Sequence, residues 1–281
     1  MSATSTASEQ VYDSASRHKP LRQALTDLYD YRGLVRLLVR RELTVRYKRS
    51  LLGVSWTVLN PVLTSLVMWV VFNALFHPKI PGGVSYIVYL LSGVIAITYF
   101  QQGIAMTGSS MAASAGVLTK VYVPPVVFAL AAATAGAVNF LLGLVPLVIA
   151  QLVTGPRLPW TFLLLPLPLI FLLALITGLG LIVASLQIQF NDILDLTNVV
   201  LMLVAYLTPT FYPITIVPIA YRHFFSINPM FSFVTVFRFL EYGGSSLNWL
   251  ALTIVCGSGS VSLVLGLEVF VKRWPRLAAL L

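Results

Sequence analysis

Apolar residues run through six stretches of the chain, at about 57–76, 86–106, 126–153, 160–186, 193–211 and 249–271, each with few or no charges. A helix of roughly 20 such residues crosses about 30 Å of hydrocarbon and is longer than a buried core helix needs to be. The pattern predicts an all-α polytopic membrane protein with six transmembrane helices. These use most of the 281 residues, which leaves a polar head, short loops and one long connection, and no room for a second globular domain.

The pattern changes character before the first span. Leu21 to Arg49 reads as helix in two pieces with a break near Gly33. In the second piece Arg32, Arg36, Arg40 and Lys48 recur at i+4 spacing, opposite an apolar stripe of Leu34, Val35, Leu38, Val39, Leu43 and Tyr47. This is the signature of a basic amphipathic helix at the inner leaflet, whose long cationic side chains reach the lipid phosphates. By pattern alone the simpler reading, a plain membrane anchor, is favoured. The first residues, MSATSTASEQ, have neither the basic start nor the apolar core of a signal peptide and are expected to form a disordered cytoplasmic tail.

Two connections stand out. Between 107 and 125, small residues lead to Lys120-Val-Tyr-Val-Pro-Pro125, which predicts a short helix closed by the two prolines. The segment from about 208 to 248 is too long for a turn and too apolar for a solvated loop. Pro209, Pro213, Pro218 and Pro229 break it. Two short helices are expected there, Pro213 to Tyr221 and Pro229 to Glu241, with Asn228 in the turn and Arg238 and Glu241 spaced to pair at i+3. Broken backbone at membrane depth must pack on protein or line a wet cavity. The segment is therefore read as an outer re-entrant helical hairpin between spans 5 and 6, or as a partly buried outer cap.

Charge orients the chain. Lys and Arg number 18 against nine Asp and Glu, an excess of +9 that in a soluble protein would point to nucleic acid. Only 10% of the residues are charged, however, and the mean hydropathy is +0.90, so the bilayer sets the reading. Ten of the cations precede Trp56 and three follow the last span. With positive residues held inside, both termini are cytoplasmic and the number of spans is even. Trp56, Trp160, Trp249 and Trp274 fall at span ends, as interfacial indoles do. The single cysteine, Cys256, lies in an apolar run and reads as core.

Catalytic chemistry is hard to find. His18, His77 and His223 are scattered, the acids after position 42 are Asp192, Asp195, Glu241 and Glu268, and there is no HExxH pair, phosphate loop or nucleophile elbow. No catalytic residue and no metal site is expected. Asp192 and Asp195 suit a helix N-terminus, and Glu268 suits an ion pair with Lys272. The spans also lack the buried ionisable chain of a proton-driven pump. If this protein drives a solute uphill, the energy comes from a partner. Aromatic side chains at Trp69, Phe72, Tyr99, Tyr206, Phe211 and Tyr212 offer stacking surfaces to a passing sugar chain, though lipid or core packing accounts for them as well.

From Arg41 to Pro61 the residues RELTVRYKRSLLGVSWTVLNP resemble the amphipathic segment that precedes the first span in type-2 ABC exporter membrane subunits. They are most similar to the O-antigen and teichoic-acid polysaccharide permeases, where an acid, an Arg-Tyr pair, a Leu-Gly pair, a Trp and a Pro recur at this spacing. Lys120-Val-Tyr-Val-Pro124 resembles that family's coupling loop, Phe190-Asn-Asp-Ile193 its Arg-Asp-Ile step, and Thr208-Pro209 with Asn228-Pro-Met230 and Arg238 its outer re-entrant region. Asn191 stands where the family often has Arg, and Pro125 where it often has a basic residue.

The resemblance implies a homodimer around a channel, with two copies of a separate ATPase beneath that carry the ATP and Mg. No cofactor is expected on this chain. It implies a lipid-headgroup gate at Arg40, Arg41, Glu42, Arg46, Tyr47, Lys48 and Arg49, ATPase coupling through Lys120, Tyr122 and Pro124, and a channel exit at Asn228, Pro229, Arg238 and Glu241. The domains expected are a tail at 1–20, interfacial helices at 21–56, a six-span unit at 57–271 and a cytoplasmic tail at 272–281. The function expected is export of a polyprenyl-diphosphate-linked cell-envelope polysaccharide across the bacterial inner membrane. A drug or small-lipid exporter of the same fold is the first alternative; a polytopic membrane transferase and a structural scaffold are the others.

Overall fold

In the computed structural model, residues 31–76, 80, 83–118, 123–154, 158–243 and 247–277 are described. They are helical with no strand among them. In chain order the helices are α1 (Arg32–Tyr47), α2 (Ser55–Phe76), α3 (Tyr86–Ala113), α4 (Ala115–Leu118), α5 (Val126–Thr154), α6 (Pro166–Gln187), α7 (Ile193–Tyr206), α8 (Ile219–Ile227), α9 (Pro229–Tyr242) and α10 (Trp249–Leu277). A 3₁₀ turn, Trp160–Leu164, leads into α6 and a second, Ile214–Ile216, precedes α8.

Five helical stretches, those built on α2, α3, α5, α6 and α10, are long and apolar enough to cross a membrane. The fifth expected span is shorter than its apolar run. α7 ends at Tyr206, and 14 residues at 1.5 Å each reach only about 21 Å. Thr208, Pro209 and Pro213 explain the stop, since proline supplies no amide donor and drives the preceding residue out of helix. The chain continues as a non-helical strap, residues 207–213.

α3 is the axis of the bundle: 78% of its apolar window is buried, against 11% for α2. α2, α5, α6, α7 and α9 all pack on it. An aromatic ladder crosses the centre, with Tyr99 on α3 5.3 Å from Phe140 on α5 and Phe140 5.6 Å from Phe237 on α9, ring centre to ring centre. The tightest helix pair, α6 with α10, depends on missing side chains. A Cβ on Gly178, Gly259 or Gly266 would overlap the backbone carbonyl of Ser262, Phe171 or Gly178 respectively. Small residues that let backbones touch are how apolar helices associate where lipid removes the hydrophobic drive.

Several sequence expectations are corrected. α3 continues past 106 to Ala113, so much of the anticipated loop is helix, and Pro124 and Pro125 open the next helix, while residues 119–122 ahead of them lie outside the described residues. The carbonyls of the two prolines accept the amides of Val127 and Phe128 at the start of α5. The outer segment does not hold a helix from Pro213 to Tyr221, because Pro218 interrupts it and α8 begins after that ring. α1 begins at Arg32, with Gly33 in its first turn, and any break ahead of it lies outside the described residues. The apolar stripe of α1 packs largely on protein: Leu38 is buried with Met111, Val126, Phe128, Leu267 and Phe270, and Leu34, Val35 and Val39 flank it. That cluster places α1 and the C-terminal part of α10 at the same end of the bundle. Glu268 and Lys272 form the anticipated ion pair.

Candidate functional site

Two polar assemblies interrupt the apolar bundle. The first lies at the elbow between α1 and α2. Arg49, with φ of +64°, and Gly53, with φ of +53°, put two left-handed residues into this tight turn, and the Ser50 hydroxyl accepts the Gly53 amide at 3.1 Å. For a residue with a Cβ, that conformation is sparsely populated. The turn leaves Leu51 fully exposed and Val54 and Trp56 about half exposed.

Behind the elbow, Tyr47 ties three helices together. Its hydroxyl lies within hydrogen-bonding distance of the Thr57 hydroxyl on α2 and donates to Asn139 Oδ1 on α5 at 2.8 Å. Arg46 Nη2 donates to Gln102 Oε1 on α3 at 3.2 Å. Between these contacts lies a cavity of about 200 Å³ that runs from Arg46, Ser50 and Trp56 inward to Tyr99, Asn139 and Phe140, midway along α3 and α5. Tyr99 Oη and Asn139 Nδ2 are buried with no hydrogen-bond partner among the described residues.

The second assembly holds the strap at the opposite end. Non-helical carbonyls in an apolar setting must be satisfied from elsewhere. Tyr86 Oη donates to Phe211 O at 2.6 Å, and Tyr89 Oη to Tyr212 O at 2.8 Å and Pro209 O at 3.2 Å. Arg238, 9% exposed on α9, donates to Pro209 O, Thr210 O, Tyr89 O and Ser92 Oγ at 2.9 to 3.2 Å. Gly93 makes the space: a Cβ there would sit 2.8 Å from Arg238 Nη2. Asn228 caps α9 by accepting the Met230 amide at 2.9 Å, and its amide donates to Thr208 Oγ1 at 3.0 Å. Pro229 occupies the first turn, where its missing amide costs nothing.

The anticipated Arg238–Glu241 pair does not form. The guanidinium spends its donors on carbonyls, while Glu241 is fully buried with neither carboxylate oxygen bonded among the described residues. Only its backbone is held, by Gln151 Nε2 at 2.9 Å.

The other sequence candidates are dispersed. Arg40, Arg41, Lys48 and Arg49 are exposed on α1 and its elbow, and Glu42 is half-buried. Lys120 and Tyr122 lie outside the described residues, while Pro124 is at the foot of α5. Of the aromatics, Trp69 and Tyr206 are exposed, at 37% and 64%. Phe72 packs against Tyr86, Tyr89 and Leu90, beside a partly buried Phe211. Tyr212 is likewise half-buried. Tyr99 is 4% exposed in the core and is one of the residues around the elbow cavity. Sequence reasoning missed Gln102, Asn139, Gln151 and Ser92 as working residues. The available signal was the rarity of amides within apolar runs, where a polar group needs a partner.

The family model described as ABC-2 type transporter matches residues 33–242. An O-antigen export system permease protein of Myxococcus xanthus is 29% identical over 218 residues, 77% of this chain and 83% of its own length. One from Klebsiella pneumoniae is 28% identical over 252 residues, 88% and 95% respectively. A polysialic acid transport protein of Escherichia coli is 24% identical over 245 residues, 85% and 93%.

Proposed function

Because the chain belongs to the ABC-2 type transporter family, we propose that it is the permease subunit of an ATP-driven exporter of lipid-linked cell-envelope polysaccharide. The observation that carries this reading is the likeness, along 83 to 95% of their own lengths, to relatives named for O-antigen export and polysialic acid transport.

Six crossings fit the bundle if α7 and the strap together make the fifth. Residues 57–271 then form the spanning unit, the strap with α8 and α9 an outer re-entrant hairpin, and α1 an interfacial helix that follows a cytoplasmic tail at 1–20. The basic α1 and the end of α10 that carries Lys272 and Arg273 share one end of the bundle, which supports N-in and C-in in the bacterial inner membrane with 272–281 as the cytoplasmic C-terminal segment. The outward faces of α2 and α7, with Trp69, Val70, Val199 and Tyr206 exposed, are where a second copy would close a channel.

Two copies of a separate ATPase, carrying ATP and Mg, would dock around α4, Lys120, Tyr122 and Pro124. The diphosphate of a polyprenyl-linked glycan would meet Arg40, Arg41, Arg46, Lys48 and Arg49, which offer charge-assisted hydrogen bonds to phosphate oxygens. Depletion of this subunit in its host, followed by analysis of polyprenyl-linked glycans on the cytoplasmic side, tests the reading. Accumulation of one full-length lipid-linked polymer is expected. No accumulation, with every envelope polymer intact, would turn the reading toward a drug or small-lipid exporter.

A further inference from the structure

We propose that Glu241 is a proton-binding site: the packing of the last turn of α9 against α5 and the lead-in to α6 holds its carboxyl as a neutral acid, and ionisation loosens that packing. The inference stands apart from the exporter reading and from the identity of any cargo.

Three segments meet at the end of α9. Thr161 Oγ1 donates to Leu240 O at 3.2 Å, Gln151 Nε2 to Glu241 O at 2.9 Å and the Gly243 amide to Phe239 O at 3.0 Å. The carbonyls that a helix end leaves over are thus met by the 3₁₀ turn before α6, by α5 and by the chain just beyond. What remains is acceptors alone. Gln151 Oε1 and both carboxyl oxygens of Glu241 are buried with no partner among the described residues, on two side chains that are 0% exposed. Buried polar atoms seldom go unpaired in native structures. A proton on Glu241 gives this corner the donor it lacks.

The surrounding charge favours the neutral form. A carboxylate in the last turn of a helix faces the negative end of the helix dipole. An unpaired charge out of water is costly enough that a buried carboxyl takes up a proton instead. Arg238, one turn back on α9, has four hydrogen bonds to Ser92 Oγ, Tyr89 O, Pro209 O and Thr210 O, all away from Glu241. Of the other elements packed on α9, α3 brings the phenols of Tyr86, Tyr89 and Tyr99, while α6 and the 3₁₀ turn bring no titratable group. Nor does α5, which supplies Gln151. α10 has none before Cys256, and Arg222 and His223 belong to α8, which joins α9 at its far end. Tyr242 is the remaining neighbour on α9, and Arg157 lies outside the described residues.

The test compares the full-length wild type in nanodiscs with Glu241→Gln, whose amide stands in for the neutral acid. A carboxyl that is neutral when folded and ionised when unfolded contributes fully below about pH 4.3, and its contribution is lost as pH rises. The unfolded-to-folded ratio of the wild type, relative to the variant, is therefore expected to climb about tenfold per pH unit above that point. Amide exchange over 238–243 is expected to quicken at alkaline pH in the wild type alone. Infrared spectra of the wild type at neutral pH should show the carbonyl stretch of a protonated carboxylic acid, a reading that holds even if the variant fails to fold. Absence of that band, or parallel stability profiles for the two proteins, overturns the proton site. So does a variant less stable than the wild type at every pH, which would mark an ionised Glu241 with a cationic partner. Exchange over 238–243 that ignores pH overturns the loosening.

Discussion

The guanidinium of Arg238 lies 3.5 Å above the centroid of the Tyr89 ring, and the two side chains also share an acceptor, since Arg238 Nη1 and Tyr89 Oη both donate to Pro209 O. A cation on an aromatic face is held electrostatically, and more firmly where water is absent. The pair clamps the strap against α3 and α9. It thereby satisfies, with side-chain donors, backbone carbonyls of the non-helical segment that follows α7.

Arg238→Ala is expected to lower stability by on the order of 3 kcal/mol, since hydrogen bonds to a charged group contribute about 1.5–3 kcal/mol each and several are lost together. Arg238→Lys should recover little of this, because an ammonium cannot reproduce the planar fork. Tyr89→Phe keeps the ring under the guanidinium and should cost only about 1 kcal/mol. Thermal denaturation of the detergent-purified variants ranks them; a full rescue by Lys would show that charge rather than geometry holds the strap.

Glu241→Gln is expected to leave the melting temperature unchanged or raise it. The carboxyl is fully buried with both oxygens unbonded among the described residues, and an amide of the same shape removes the cost of a buried charge. A fall of several degrees would mean that the carboxylate has an ionic partner in the working protein.

Gly178→Ala and Gly266→Ala should abolish accumulation of folded protein, because each adds a methyl where a carbonyl of the neighbouring helix already stands. Gly257→Ala, on the same α10 but with nothing within 4 Å of its Cβ, is expected to accumulate normally. Detergent-solubilised size-exclusion profiles compare the three. Equal profiles would show that α6 and α10 separate easily.

The elbow offers a test of motion. Tyr47→Phe removes the hydroxyl that joins α1 to Thr57 and Asn139, so amide exchange across residues 32–47 should quicken while exchange in α3 is unaffected. Charge reversal at the exposed Arg40 and Arg41 should abolish polymer export with folding intact. Export at the wild-type level would remove the headgroup-gate role assigned to them.

How much of this was legible varied with the kind of information. The basic stripe of α1 was visible as i+4 spacing, and the Glu268–Lys272 pair as a local match of charge. Arg238 with Glu241 looked the same on paper. That pair failed because Arg238 met carbonyls from Pro209, Thr210 and Tyr89, partners far away in the chain whose arrival no spacing rule anticipates. Pro218 breaks the outer segment inside the stretch, Pro213 to Tyr221, whose pattern predicts one helix.

Length and hydropathy by themselves determined that the chain is a bundle of apolar helices, because burying some twenty uncharged residues in lipid is a local property of each segment. Motif spacing across the elbow and the outer segment pointed to the family. Only the tertiary structure decided what the polar residues inside the bilayer do. Tyr89, Arg238, Tyr47, Asn139 and Gln102 act through partners on other helices, and in a medium without water each such group is defined by the partner the fold delivers. At Tyr99 Oη and Asn139 Nδ2 the fold delivers none among the described residues.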